Sequence, residues 1–124
     1  MDKLIPVGEY NKRFNELLKI NITQQKIFRS TGLVTHLIKH KHINCLKYMD
    51  RISEIIENPD YIGINPNEKN DSIELVKIYD DNILVGIKVD TSSNSLYVST
   101  MFDIQESKLQ RRIHSGRLIK FEKK

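Results

Sequence analysis

The densest run of side chains able to do chemistry is Thr35-His36-Leu37-Ile38-Lys39-His40-Lys41-His42. His36 and His40 are four residues apart, so a helix would stack them on one face. Histidine titrates near neutrality and suits proton transfer, and Lys39 and Lys41 would favour neutral imidazoles able to act as bases. Spacing alone leaves three uses open: a solvated basic helix end, a zinc or nickel site, and general acid–base catalysis. For a metal the third ligand is missing, since Cys45 is out of phase and no Glu stands in the H-E-x-x-H place. His114, among Arg111, Arg112 and Arg117, reads as a dipole partner at a helix C-terminus. Cys45 lies among apolar residues and reads as buried and inert. The chain has no phosphate-binding loop, no G-x-G-x-x-G and no G-x-S-x-G.

A second constellation depends on strand phase. Ile83, Val85, Ile87 and Val89 alternate with Leu84, Gly86, Lys88 and Asp90, which predicts a strand with the first set in the core. Its expected partner puts Leu96, Val98, Thr100 and Phe102 on one face and Tyr97, Ser99 and Met101 on the other. A four-residue loop would set Lys88 across from Tyr97 and Gly86 across from Ser99. Lys, Tyr and Ser around a glycine gap could receive a phosphate, or form an ordinary solvated face. This phase favours Ser99 over Thr100 as the free hydroxyl, and a bulge would reverse the choice.

The elements that would carry these groups follow from periodicity. Helices are expected over Gly8 to Ile20 (Tyr10, Phe14, Leu17, Leu18), over Gly32 to His42 with Thr31 as N-cap, and over Asn44 to Glu57. The last carries Leu46, Met49, Ile52, Ile55 and Ile56 on its apolar face, and Asn58-Pro59 ends it. Ile22 to Arg29 is a short strand or a helical turn. Strands are expected at Tyr61–Asn65, Ser72–Tyr79, Ile83–Asp90 and Ser95–Phe102, then a helix within Asp103 to His114 and an edge strand at Arg117–Phe121. Helices followed by a meander predict an α+β fold, with N-terminal helices on one face of a four- to five-stranded antiparallel sheet.

The 124 residues suffice for one domain with a single core, read as residues 1–124 with a 1–30 extension and a 31–121 core. A hydrophobic fraction of 39% and a charged fraction of 29% exclude a disordered chain. No apolar run reaches a membrane span, Pro6, Gly8 and Glu9 interrupt any leader-like start, and one cysteine gives no internal disulfide. A cytoplasmic protein without membrane association is expected. The net charge of +4 hides a pattern: +4 over residues 1–58, −6 over 59–107 and +6 over 108–124. If the two basic segments meet, they would attract an anionic polymer through counterion release.

From Thr31 to Phe121 the chain resembles the phage-associated PBECR group of the barnase–EndoU–colicin–RelE ribonuclease superfamily. The residues carrying the resemblance are His36-Leu37-Ile38-Lys39-His40, Ile55 to Gly63, Asn82 to Lys88, and Tyr97-Val98-Ser99-Thr100-Met101. It implies a metal-independent endoribonuclease with no cofactor, toxin-like or phage-associated, that cleaves RNA by attack of the ribose 2′-OH. By position, His36 and His40 would transfer protons and Lys88 would stabilise charge, with Lys77 as a substitute. Ser99 or Thr100 would supply a hydroxyl, and Tyr97 would stack on a base or bond the phosphate. Arg111 and Arg112 would contact backbone phosphates. A toxic nuclease would also need a cognate inhibitor protein. The alternative is a catalytically inactive module that binds RNA or protein.

Overall fold

The computed structural model describes residues 3–67, 72–90, 92–93 and 95–122. Among them, seven strands form one sheet: β1 (Leu4–Glu9), β2 (Lys26–Ser30), β3 (Tyr61–Ile64), β4 (Ser72–Ile78), β5 (Asn82–Asp90), β6 (Ser95–Asp103) and β7 (Leu118–Lys120). The four α-helices are α1 (Arg13–Leu18), α2 (Leu33–Lys39), α3 (Ile52–Glu57) and α4 (Glu106–His114), with a 3₁₀ stretch over Ile43–Arg51 before α3. The sheet order is β1-β2-β6-β5-β4-β3-β7.

The fold is α+β as expected, but its sheet is larger and mixed, and its helices are interspersed with strands. The central hairpins β3-β4-β5-β6 form the expected meander, and β7 adds an antiparallel edge on β3. The first 30 residues extend the other side: β1 and β2 pair antiparallel, and β2 joins β6 in parallel through Ile27↔Leu96 and Phe28↔Tyr97. Parallel pairing needs a long crossover, and here it includes everything between β2 and β6. Such a pairing leaves no local trace in sequence.

The inner face of the sheet carries the main core. Ile73, Leu75, Ile83, Val85, Ile87 and Val98 pack there against Phe14 of α1, Leu37 of α2 and Ile55 of α3. On the outer face, α4 covers only one end, where Leu109 meets Val76, Leu84 and Leu118. Among the described residues, α1, α2 and α3 pack on the inner face.

Three helical expectations change. Gly8 to Ile20 divides into β1 and the six-residue α1, because Asn15 ties the helix to the next loop. Its Oδ1 accepts from the Ile22 N–H at 3.0 Å and its Nδ2 donates to Ile22 O at 2.9 Å, while Lys19 takes a left-handed φ of 57°. Thr31 does not cap α2: its Oγ1 accepts from the Lys3 N–H, and Gly32 precedes the helix. Lys41, at φ 61°, breaks the chain between α2 and the 3₁₀ stretch. At three residues per turn, Cys45 and Tyr48 become the buried line, leaving Leu46 and Met49 partly exposed.

Gly63 has a demanding position. A Cβ there would stand 2.0 Å from Arg117 O, so only glycine lets β7 close on β3. Gly63→Ala is expected to cost roughly 1–3 kcal/mol through overpacking. Chemical denaturation would show it as a lowered midpoint at unchanged slope.

Candidate active site

The outer face holds a cavity of about 390 Å³ over β4, β5 and β6, bounded by Arg112 in the C-terminal half of α4 and by Arg117 just before β7. Strand alternation brings Glu74, Gly86 and Lys88 to its floor, and the missing side chain of Gly86 makes the depression.

A bulge decides what β6 contributes. Gly86 pairs with Thr100 and Ile87 with Val98, so Ser99 is the extra residue. Leu96, Val98 and Met101 therefore face the core, and Tyr97, Thr100 and Phe102 turn outward. The expected phase holds up to Val98 and reverses beyond Ser99, which corrects the inward placing of Thr100 and Phe102 and the outward placing of Met101. Both Ser99 and Thr100 line the cavity, and Ser99 Oγ donates to Gly86 O at 3.2 Å. Lys88 lies across from Tyr97 as expected, whereas Gly86 lies across from Thr100 and not Ser99.

Charge is concentrated at one carboxylate. Glu74 is only 5% exposed, yet it receives three charge-assisted hydrogen bonds. Arg117 Nε donates to Oε1 at 2.9 Å and Arg117 Nη2 to Oε2 at 2.8 Å, while Arg112 Nη1 donates to Oε2 at 3.1 Å. Glu74 is the one carboxylate among the described residues lining the cavity, and Lys88, Arg112 and Arg117 make its surroundings cationic. Arg112 and Arg117 also line a neighbouring groove with Lys108 and Arg111. The arrangement can seat a phosphate between cations, beside hydroxyl donors and next to a proton acceptor.

The other residues expected from sequence lie elsewhere. Lys77 lies opposite the inward-facing Ile83, and its Nζ donates to Asn58 O at 2.9 Å, away from Lys88. Tyr97 borders a separate cavity next to this one. His36 and His40 sit on exposed positions of α2 and at its end, with ring centroids 4.4 Å apart, and do not line the cavity. Burial first, and then the charges of His40, His42 and Lys39, hold the His36 pKa below its ordinary value.

His42 comes nearest to the cavity wall, its ring centroid 5.6 Å from that of Phe102. Cys45 anchors this segment, its Sγ lying 2.9 Å from His42 O and 3.5 Å from Met101 O. Burial, and next the charge of Asp103, push the Cys45 thiol up to about 11, so it is no nucleophile at neutral pH. Among the described residues, no three of His, Cys, Asp and Glu gather where they could hold a metal ion.

Sequence reading missed Glu74 and Arg117 as cavity residues and His42 as the histidine beside its wall. An acidic residue inside an apolar strand (Ile73-Glu74-Leu75) was the available signal for Glu74.

A family model described as phage-Barnase-EndoU-ColicinE5/D-RelE like nuclease 3 (PBECR3) matches residues 5–111. The chain belongs to the PBECR3 family. The match begins in β1, so it includes the parallel β2–β6 junction, and it reaches Arg111 in α4. The family is that of a predicted nuclease of the barnase–EndoU–colicin–RelE superfamily, in agreement with the resemblance drawn from sequence. No curated protein and no solved structure matches the chain. Among the described residues no helix is long and apolar enough to cross a membrane.

Proposed function

We propose that this PBECR3 chain is a metal-independent endoribonuclease, toxin-like or phage-associated, acting at the outer-face cavity. The observation carrying this reading is that three cations, Lys88, Arg112 and Arg117, line the same cavity as the buried carboxylate of Glu74, which both arginines bond. Lys88 and the two arginines hold the scissile phosphate and stabilise the phosphorane, with Ser99 and Thr100 as hydroxyl donors. Glu74 takes the proton of the ribose 2′-OH, whose oxygen attacks the adjacent phosphorus. The P–O5′ bond breaks, and His42, whose ring lies against Phe102 at the cavity wall, supplies the proton for the leaving 5′-oxygen. Arg111 and Lys108 bind a neighbouring backbone phosphate. An acidic inhibitor protein covering that basic surface would suit such a nuclease.

The test is incubation of the protein with mixed cellular RNA in EDTA beside Glu74→Gln. The wild type is expected to leave 2′,3′-cyclic phosphate ends and spare DNA, and Glu74→Gln to slow cleavage by roughly 10²–10⁴-fold. Cleavage that needs added divalent metal would overturn the metal-independent mechanism, and cut DNA the role of the 2′-OH. RNA left intact under every condition would favour an inactive binding module. Lys88→Ala and Arg112→Ala would then weaken a salt-dependent affinity without any chemistry.

A further inference from the structure

The outer face holds a second cavity, of about 220 Å³, over β1, β2 and β6. Phe28 and Tyr97 stand in it, with Leu4 as apolar surface beside them and Ser30, Ser95 and Asp90 as polar groups. Both aromatics turn outward because their neighbours Ile27 and Leu96 are buried in the main core. We propose that this cavity receives one unpaired nucleobase of the RNA whose phosphate occupies the adjoining site, an inference that rests on the ribonuclease reading.

Register joins the two cavities. Phe28 pairs with Tyr97 across β2–β6, and Tyr97 pairs with Lys88 across β6–β5. Strand spacing therefore sets Tyr97 roughly 5 Å and Phe28 roughly 10 Å from the backbone of Lys88, which lines the phosphate site. A base attached to the bound phosphodiester would extend in that direction.

The size and chemistry of the cavity favour a base over its competitors. At 220 Å³ it lies below the roughly 300–1,000 Å³ typical of drug-sized ligands, and suits a single flat heterocycle. Two half-exposed aromatic rings offer stacking surface, which is how proteins hold splayed-out bases. Asp90 excludes a second phosphate. Hydrogen bonds from the Ser92 hydroxyl (2.6 Å) and then the Ser92 N–H (3.0 Å) hold its pKa below the ordinary carboxylate value. An ionised carboxylate repels a phosphate but accepts from the N–H groups of a base edge. A base can enter only if it is unstacked, so the substrate class is single-stranded RNA.

The test uses the full chain and a short single-stranded RNA with a non-cleavable 2′-deoxy linkage, beside the same strand carrying one abasic position. Phe28→Ala and Tyr97→Ala are expected to weaken binding of the intact strand by about tenfold, with the salt slope of affinity unchanged. Toward the abasic strand, bound at its missing base, the variants should match the wild type. Phe28→Leu keeps the apolar volume and should lose affinity as Phe28→Ala does. Unchanged affinity in all variants would overturn the base site while leaving the ribonuclease reading intact. So would equal losses on the abasic strand, or a dimer of the chain that Phe28→Ala disrupts. Absence of any salt-dependent RNA binding by the wild type would overturn the ribonuclease reading and, with it, this one.

Discussion

Arg117→Ala is expected to cost the fold about 3 kcal/mol and to slow RNA cleavage by roughly 10²–10³-fold. Both effects come from Glu74. Its carboxylate is 5% exposed and takes two of its three strong hydrogen bonds from Arg117. Truncating that side chain leaves a buried charge with Arg112 alone, which lies at 3.1 Å. Losing one partner of a buried pair typically costs 3–5 kcal/mol, and the remaining arginine places this case at the lower end. For a chain of this size the melting temperature should fall by roughly 10 °C. The catalytic loss has a separate cause, because Arg117 lines the site where a phosphorane would carry its charge. The double variant Glu74→Gln/Arg117→Met separates the two. It removes the charge on both sides and restores apolar volume, so urea denaturation should show most of the stability recovered. Cleavage should stay lost. Recovery of both would reduce the Glu74–Arg112–Arg117 cluster to scaffolding.

What sequence could disclose followed the range of the interactions involved. The strands from Tyr61 to Asp103 were legible because each hairpin alternates apolar and polar residues and is closed by local turn residues. The parallel junction of β2 with β6 was not, since Ile27 and Leu96 meet across almost 70 intervening residues and only the packed sheet aligns them. The extra residue in β6 is a similar case. Ser99 looks no different from its neighbours in sequence, and the phase reversal that turns Thr100 outward arises from pairing with Gly86. Site residues divided along the same line. Of the residues named from sequence and resemblance, Lys88, Ser99, Thr100 and Arg112 line one cavity, Thr100 against the expected strand phase. Glu74 and Arg117 lie 43 positions apart and become partners only because Gly63 lets β7 approach β3.

Within the histidine cluster, His42→Ala is expected to give the largest loss, roughly 10²–10⁴-fold, the usual contribution of a general acid. A donor to the leaving 5′-oxygen must carry its proton at working pH. The His36 pKa is lowered, by burial first and then by the charges of His40, His42 and Lys39. A donor limb due to His36 would therefore fall below its ordinary 6.5. His42 is half-buried against Phe102, and Cys45 and Asn44 fasten its segment to the end of β6. The sign follows directly: kcat/KM should decline as pH rises through the pKa of the donor. That alkaline limb should persist in His36→Ala and vanish in His42→Ala. Measuring kcat/KM from about pH 5 to 9 for His36→Ala, His40→Ala and His42→Ala would decide it, with thermal melting to show that each variant keeps its fold. Loss of the limb in His40→Ala instead would move the donor one turn back along the chain. An unchanged profile in all three would remove the cluster from the chemistry and leave proton transfer to the residues of the cavity itself.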